Sequence, residues 1–332
     1  MQLNYKSIAL PFEYPFTISN GRTKTHQPSL VVSLSLGNFT GFGEAPAIVY
    51  YDVTVEKMIE DLESKRAMVE KFALTDPARY WHYLHHLFPQ NPFLVSALDM
   101  ACWDLYGKMK GQPLYTLWNT SWQNTPVTDY TIGIDTIPKM LEKMKAKPWP
   151  VYKIKLGTPE DIEIMEALTT ATTAVFRVDA NTAWTPEQTI YFSTSLKDMG
   201  VEFIEQPLKA DDWKGMKKVF EQSALPIIAD ESCILEEDVE KCVGYFHGVN
   251  IKLMKCGGLT PALKMIKKAK SLGLKVMVGC MTESTIGCSA IAQLVPQLDF
   301  VDMDGCLLVD DTISRGIRID YGKIIYSKVA GT

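Results

Sequence analysis

The chain has 332 residues, of which 46% are hydrophobic and 22% are charged, a composition typical of folded globular proteins rather than disordered ones. This length is too great for one ordinary core and predicts a barrel joined to a smaller domain. The formal net charge is -5 and no block of basic residues occurs, which argues against nucleic acid or an anionic membrane as a partner.

The cellular compartment is indicated by the first residues and by the cysteines. The N-terminus lacks the charged and apolar regions of a signal peptide, and no apolar run reaches the ~20 residues that cross a bilayer. The seven cysteines form no CxxC pair, and their odd number is typical of reduced thiols. We therefore expect a soluble, cytoplasmic protein.

Residues 1–120 combine a strand hairpin with helices. Alternating apolar residues predict the two arms of the hairpin over 30–36 and 40–44. Apolar residues at helical spacing predict helices over about 53–72, 76–88 and 93–110. Strands followed by helices predict a separate α+β domain.

From about residue 121 the chain alternates between strand and helix, the pattern of an α/β fold with a parallel sheet. Seven helices are visible between eight candidate strands, and no full helix follows the last strand. The candidate strands cover 128–134, 152–156, 176–180, 202–206, 226–230, 248–252, 275–280 and 300–304. We predict a barrel with one incomplete repeat over 121–311, and strand-like segments in 312–332 that return to the N-terminal domain.

Five of the candidate strands end on a charged residue at nearly equal intervals. These residues are Lys155, Asp179, Glu205, Asp230 and Lys252, and the intervals are 24, 26, 25 and 22 residues. Such an interval fits one strand, one helix and two short loops, as a parallel pair of strands requires. Charges at the same end of successive parallel strands converge on one face of a barrel, where the active sites of this architecture lie.

The three acids of this series predict a metal site. Asp179, Glu205 and Asp230 offer only oxygen ligands, and without His or Cys nearby this favours one Mg²⁺, for which Mn²⁺ could substitute. The alternative is that each acid is a solvated strand end. That explanation suits one acid, but it does not suit three acids in consecutive repeats.

Lys153 and Lys155 are two residues apart, so on a regular strand both side chains face the barrel interior. Two neighbouring ammonium groups lower each other's pKa, and a lysine shifted towards neutral pH can act as a general base. The alternative is an exposed pair at a strand edge.

Lys252 lies one repeat after the third acid, on the other side of a metal-bound substrate from Lys155. Two bases on opposite faces of one carbon suit a 1,1-proton transfer, in which one base removes the α-proton and the other returns a proton. Lys255 is the competing candidate. It lies beyond the strand end, and we expect it to be a loop cation or a supporting cation.

A set of short segments surrounds these charged residues. They are Lys153-Ile154-Lys155, Asp179-Ala180-Asn181, Glu205-Gln206-Pro207, Asp230-Glu231-Ser232, Asn250-Ile251-Lys252, Gly257-Gly258 and the helix 97–105. The set resembles the muconate-lactonizing-enzyme subgroup of the enolase superfamily.

The resemblance implies a modified TIM barrel of (β/α)7β type under an α+β capping domain. The cap would comprise 1–120 completed by about 312–332, and the barrel 121–311. The resemblance also implies that Lys155 and Lys252 are the acid/base catalysts and that Lys153 polarises the substrate carboxylate. The metal would stabilise the enediolate formed when the α-proton leaves.

The last strand candidate ends in Asp302-Met303-Asp304, whose two acids share a face. Two carboxylates at a barrel mouth pair with an ammonium group, which favours a substrate with a free amine. This element resembles the one with which dipeptide epimerases of the subgroup hold the N-terminal ammonium. It favours an isomerase that inverts the α-carbon of the C-terminal residue of a dipeptide, such as L-Ala-D/L-Glu or a related hydrophobic dipeptide.

Three alternatives remain open. An o-succinylbenzoate synthase or an N-succinylamino-acid racemase would not need Asp302 and Asp304, which would then be solvated acids. A metal-binding barrel without catalysis would predict a broken set of lysines and ligands, whereas the set is complete.

The side chains of the substrate are expected to meet loops of the cap and of the seventh strand. Arg22 lies near the place where Ala-Glu epimerases carry an arginine, Lys24 is an alternative, and either could be a plain solvated cation. The other candidates are Ile48, Tyr50, Tyr51, Met281 and Thr282. We expect a small-molecule partner and neither nucleic acid nor membrane, and we leave a homo-oligomer open.

Overall fold

The computed structural model describes residues 1–17, 23–311, 316–325 and 331. An antiparallel sheet in the order β1-β2-β3 opens the chain and is followed by four helices. Its strands are β1 (Gln2–Thr17), β2 (Thr23–Leu36) and β3 (Phe39–Pro46). The helices are α1 (Val55–Lys71), α2 (Pro77–Leu87), α3 (Pro92–Lys110) and α4 (Leu114–Leu117). The predicted hairpin and three long helices are therefore present, and β1 is an additional strand.

Eight parallel strands follow and form the barrel. They are β4 (Tyr130–Ile132), β5 (Val151–Lys155), β6 (Val175–Asp179), β7 (Val201–Glu205), β8 (Ile227–Ala229), β9 (Gly248–Ile251), β10 (Lys275–Gly279) and β11 (Phe300–Asp302). Each strand pairs with the next, and a parallel bridge between Thr128 and Val301 joins the first strand to the last. The predicted modified TIM barrel is confirmed.

Helices lie between the barrel strands. They are α5 (Ile137–Ala146), α6 (Asp161–Ala171), α7 (Pro186–Asp198), α8 (Trp213–Gln222), α9 (Glu236–Lys241), α10 (Leu253–Cys256), α11 (Leu259–Ser271) and α12 (Thr285–Ala292). Local sequence explains the start of α7, where the Thr185 side chain accepts the N–H of Gln188 and the Gln188 side chain accepts the N–H of Thr185. Within the described residues no helix is long and apolar enough to span a membrane.

The described C-terminal segments contact both parts of the chain. Leu308 and Asp310 exchange backbone hydrogen bonds with β1, at Glu13 and Pro11 respectively. A short hairpin, β12 (Arg318–Asp320) and β13 (Lys323–Ile325), contacts the start of the barrel, where the Thr128 N–H donates to Gly322 O. The division into a cap and a barrel at about residue 120 stays a prediction.

Arg177 is buried, and its guanidinium carbon lies over the rings of Phe203 and Phe300, 5.2 and 5.1 Å from their centroids. Its guanidinium also donates to Asp129 and Glu202, both at 2.8 Å. Because a planar guanidinium can stack and bond at once, this one side chain both fills the barrel and pairs buried charge.

Candidate active site

The structure brings the five charged residues of the repeat to one face of the barrel. Strand register places Lys155 beside Asp179, and Asp179 beside Glu205. Asp230 follows β8 directly and Lys252 follows β9 directly, at the same carboxyl ends. These positions follow from the equal spacing of the repeats.

Each of the three acids contacts a different lysine. Lys155 Nζ donates to Asp179 Oδ2 at 2.6 Å, and Lys252 Nζ donates to Asp230 Oδ2 at 2.8 Å. Lys153 Nζ lies 2.8 Å from Glu205 Oε2 and is fully buried. Each of the three carboxylates therefore lies within hydrogen-bonding distance of a lysine ammonium group.

The acids and their neighbours fit a hard divalent cation. Asp179, Glu205 and Asp230 are buried at 0%, 0% and 1% exposure and offer oxygen only. Beside them, Glu231 Oε2 and Asn181 Oδ1 are buried acceptors that receive no hydrogen bond. Buried acceptors without donors are costly unless a cation or water satisfies them.

The carboxylate oxygens of Asp179, Glu205 and Asp230 do not all lie within 4.8 Å of one another. Among the described residues, the only group of three or more His, Cys, Asp or Glu ligand atoms within 4.8 Å is Cys280, Asp302 and Asp304. This second group borders the cavity, and its sulfur ligand does not fit Mg²⁺.

The lysine pKa values differ from the sequence-based expectation. Burial disfavours the charged form of Lys153, but the acids around it outweigh burial and raise its pKa well above the usual value. The same balance, with Asp230 as the main acid, raises the pKa of Lys252. The expected lowering by a neighbouring ammonium is therefore wrong for Lys153 while the acids carry their full charge. A cation bound by the acids would reduce this effect.

The two competing lysines, Lys252 and Lys255, have different surroundings. Lys252 borders the cavity at the barrel mouth. Lys255 lies in α10 with a fully buried side chain, and its Nζ donates to Asp230 Oδ1 at 2.6 Å and to Cys233 O at 2.9 Å. It is a supporting cation, held in a short helix rather than in a loop, and Lys252 is the lysine that can meet a substrate.

A cavity of about 260 Å³ lies above these residues. Besides the charged residues it is bordered by most of the predicted substrate contacts: Lys24, Ile48, Tyr50, Tyr51, Met281, Thr282, Asp302 and Asp304. Arg22 lies outside the described residues. The segment that precedes α1 and the loop after β10 thus form part of the cavity wall.

Asp302 and Asp304 form the wall opposite the three acids, but only Asp302 ends the strand. Asp302 Oδ2 accepts a hydrogen bond from Lys153 Nζ at 2.7 Å. Burial alone would raise the pKa of Asp302, but the Lys153 ammonium outweighs burial and lowers this pKa to about 2. Asp304 lies in the following loop and accepts the Thr131 N–H at 2.5 Å. Burial and the charge of Asp302 raise the pKa of Asp304 to about 7. A carboxylate pair with this mutual repulsion favours a cationic partner.

Several cavity residues were not assigned a role from the sequence. Glu231 directly follows Asp230 and Asn181 lies two residues after Asp179, so the motifs around these acids already contained the signal. Thr131, Gly305 and Leu308 also border the cavity, and no charge or spacing marks them in the sequence.

Comparison with known proteins places this arrangement in context. Residues 137–328 match the family model described as enolase C-terminal domain-like. The chain is 53% identical to an L-Ala-D/L-amino acid epimerase of Flavobacterium johnsoniae, over 100% of this chain and 98% of that protein. It is 36% identical to an L-Ala-D/L-Glu epimerase of Bacteroides thetaiotaomicron, over 100% and 87%.

Solved structures give the same picture. A substrate-liganded L-Ala-D/L-Glu epimerase of Bacillus subtilis superposes with a TM-score of 0.93 at 27% identity, over 100% of this chain and 97% of that chain. A dipeptide epimerase of Enterococcus faecalis, complexed with Mg and the dipeptide L-Leu-L-Tyr, gives 0.90 at 29% identity, over 99% and 98%.

Proposed function

Because this chain belongs to the enolase superfamily, we propose that it is a Mg²⁺-dependent dipeptide epimerase that inverts the α-carbon of the C-terminal residue. The observation that carries the proposal is the placement of Lys155 and Lys252. In the eight-stranded barrel, β5 and β9 are four strands apart in either direction, so their carboxyl ends lie on opposite sides of the mouth.

Two opposed lysines support a two-base proton transfer. In one direction, neutral Lys155 removes the α-proton and the Lys252 ammonium delivers a proton to the opposite face of the same carbon. In the other direction the two residues exchange roles. General acid–base catalysis by a positioned side chain contributes about 10²–10⁴-fold, and opposed placement gives inversion rather than simple exchange.

Asp179, Glu205 and Asp230 are the residues that would hold Mg²⁺, and Mn²⁺ has the same preference for oxygen. When bound, the ion would stabilise the negative charge that develops on the substrate carboxylate as the α-proton leaves. Lys153, buried among Glu205 and Asp302, would add positive charge beside the same carboxylate.

The two walls of the cavity orient the substrate. The strands that carry the three acids lie on one side of the line between the two lysines, and Asp302 and Asp304 lie on the other. A dipeptide whose carboxylate meets the acid-bound cation and whose ammonium meets Asp302 and Asp304 would place its C-terminal α-carbon between Lys155 and Lys252. A succinylated substrate has no ammonium for this wall, which favours the epimerase over the synthase and the racemase.

The cavity wall suits short or apolar side chains. Ile48, Tyr51, Met281 and Leu308 offer apolar surface, and Lys24 offers a cation near the rim. We propose L-Ala-D/L-Glu and related hydrophobic dipeptides as substrates.

All seven cysteines are free thiols in the structure, which supports a reducing compartment such as the cytoplasm.

The test is incubation of the protein with MgCl₂ and a dipeptide library in D₂O, followed by chiral chromatography and mass spectrometry. We expect one deuterium at the C-terminal α-carbon of the substrates and formation of the other epimer, both abolished by EDTA. N-succinylamino acids serve as the control set. Absence of deuterium from every dipeptide would refute the epimerase assignment.

A further inference from the structure

A single buried carboxylate, that of Glu44, joins two segments of the cavity wall. Glu44 lies in β3 and has no exposed surface. Its two oxygens accept the Ser284 N–H at 3.1 and 3.0 Å, and Oε2 also accepts the Ser284 hydroxyl and, at 3.4 Å, the Gly287 N–H. A residue from the first sheet thus caps α12 in the barrel, where unpaired N–H groups and the helix dipole favour a negative charge.

Both partners of this contact are close in sequence to residues that border the cavity. The segment 48–51 follows Glu44 after the end of β3, and residues 281 and 282 lie three and two positions before Ser284. Ile48, Tyr50, Tyr51, Met281 and Thr282 border the cavity. The Glu44–Ser284 contact therefore fixes the distance between the two loops that meet the substrate side chains.

Local hydrogen bonds tie each loop to its side of the contact. On the first side, Ala47 donates its N–H to Pro28 O at 2.8 Å, and its carbonyl accepts from Gln27 at 2.9 Å. On the second side, the Met281 N–H donates to Glu283 Oε1 at 2.8 Å. A displacement at Glu44 would therefore also shift the cavity wall, because these hydrogen bonds restrain the chain between Glu44 or Ser284 and the residues that border the cavity.

We propose that Glu44 is a positioning residue for substrate selection, which holds the two side-chain loops at the spacing that distinguishes one dipeptide from another. This inference rests on the proposed dipeptide epimerisation. The groups that hydrogen-bond the Glu44 oxygens, from Ser284 and Gly287, are all donors, so the amide NH₂ of a glutamine at this position would face a donor on one side. The lysines and acids stand on other strands, so the change affects side-chain recognition more than proton transfer.

The decisive variant is Glu44→Gln, and Asp99→Asn is its matched control. Asp99 in α3 is equally buried and makes the same kind of contact, because its carboxylate accepts the Thr260 N–H at 2.9 Å and the Thr260 hydroxyl at 2.8 Å near the start of α11, and neither residue borders the cavity. A second control, Thr185→Ala, removes a helix cap in α7, whose residues do not border the cavity. For each variant, kcat and KM are measured with L-Ala-L-Glu and with L-Leu-L-Tyr, and Mg²⁺ binding is measured without substrate.

For Glu44→Gln we expect the ratio of kcat/KM for the two dipeptides to change by about tenfold, mainly through KM, as the loss of a charge-assisted hydrogen bond implies. Mg²⁺ affinity and both controls should keep the wild-type values. An equal fall for both dipeptides would show a purely structural role and overturn the proposal, as would an unchanged ratio.

If Glu44→Gln does not fold, Ser284→Ala tests the same contact from the other side, and a shift of the ratio in the same direction is required. Equilibrium binding of the two dipeptides, measured by calorimetry, separates this inference from the proposed function. If the wild-type protein epimerises neither these two dipeptides nor any other of the library, the proposed function is wrong, and the binding ratio still supports or refutes the role of Glu44.

Discussion

Replacing Asp304 by Asn tests how the site recognises the substrate amine. Asp304 is buried, borders the cavity and uses one oxygen for the Thr131 N–H, a bond that the amide oxygen of Asn can keep. The substitution therefore removes charge and leaves the shape of the wall. This makes the loss in activity a measure of the charge alone.

The size of the effect follows from two bounds. Two unit charges 4 Å apart interact by about 4 kcal/mol at an effective dielectric constant of 20, which is a ceiling because desolvation is not included. A hydrogen bond to a charged group contributes about 1.5–3 kcal/mol net. The net hydrogen-bond energy is the smaller of the two and sets the expected effect, so kcat/KM for a free dipeptide should fall about 10- to 150-fold.

The assay compares a free dipeptide with its N-acetyl derivative, which has no ammonium, by steady-state epimerisation. We expect Asp304→Asn to reduce kcat/KM for the free dipeptide and to change that for the acetylated one little. Asp135→Asn, at a partly exposed acid paired with Lys143, is the control. An equal reduction for both substrates would refute ammonium recognition by Asp304.

Asp304 should also make the KM for a free dipeptide depend on pH. Its pKa is raised to about 7 by burial and by Asp302, and the ionised form is the one that binds an ammonium. The KM of the wild-type protein for a free dipeptide should therefore fall as the pH rises through about 7, and Asp304→Asn should lose this part of the profile.

Three further predictions concern the metal and the stability of the fold. Asp230→Asn should weaken Mg²⁺ binding in calorimetry with MgCl₂ alone, whereas the surface variant Glu187→Gln should not; equal affinities would contradict the ligand assignment. Burial raises the pKa of Glu283 to about 8, so the folded state disfavours its ionised form and the wild-type protein loses stability from this group as the pH rises through about 4.3 to 8. Urea unfolding of Glu283→Gln should accordingly show a larger gain over wild type at high pH than at low pH, and a constant difference would be evidence against this assignment. Arg177→Met leaves Asp129 buried without its partner and should reduce the free energy of unfolding by about 3–5 kcal/mol. Lys218→Met, which removes an exposed pair, should reduce it by about 1 kcal/mol or less. Similar losses would contradict the larger contribution of the buried pair.

The barrel could be predicted because its signals are local and repeated. Each strand is a short apolar run, and the charge at its end recurs at one spacing, so strand order and the face of the site follow from chain geometry. The structure keeps all eight strands, and none of their ends differs from the prediction by more than two residues. Asp304 shows the consequence: it lies beyond β11, so it approaches the cavity from a loop.

The first strand was missed for a physical reason. β1 contains Pro11 and Pro15, and its register with β2 shifts between Pro11 and Phe16. Proline cannot donate a ladder hydrogen bond, so it normally counts against a strand, but β1 is the edge strand of its sheet, where a missing donor is tolerated.

The supporting contacts of the site could not be predicted, because they join residues that are distant in sequence. Ser284 is 240 residues from Glu44, and the Thr131 N–H meets an acid 173 residues away. The pKa values could not be predicted for the same reason, because they depend on contacts between residues that are distant in sequence. The pair Lys153 and Lys155 indicated a lowered pKa, but the acids that surround Lys153 come from three other strands and reverse the direction.

The central claim is that Lys155 and Lys252 act on opposite faces of one carbon. It is tested most directly by incubating Lys155→Ala and Lys252→Ala separately with each epimer of one dipeptide in D₂O and following α-deuteration by NMR. Neither variant should epimerise, and each should still exchange the α-proton of one epimer only, the two variants retaining opposite epimers. Loss of exchange from both epimers in either variant, with Mg²⁺ and dipeptide still bound, would contradict the two-base account.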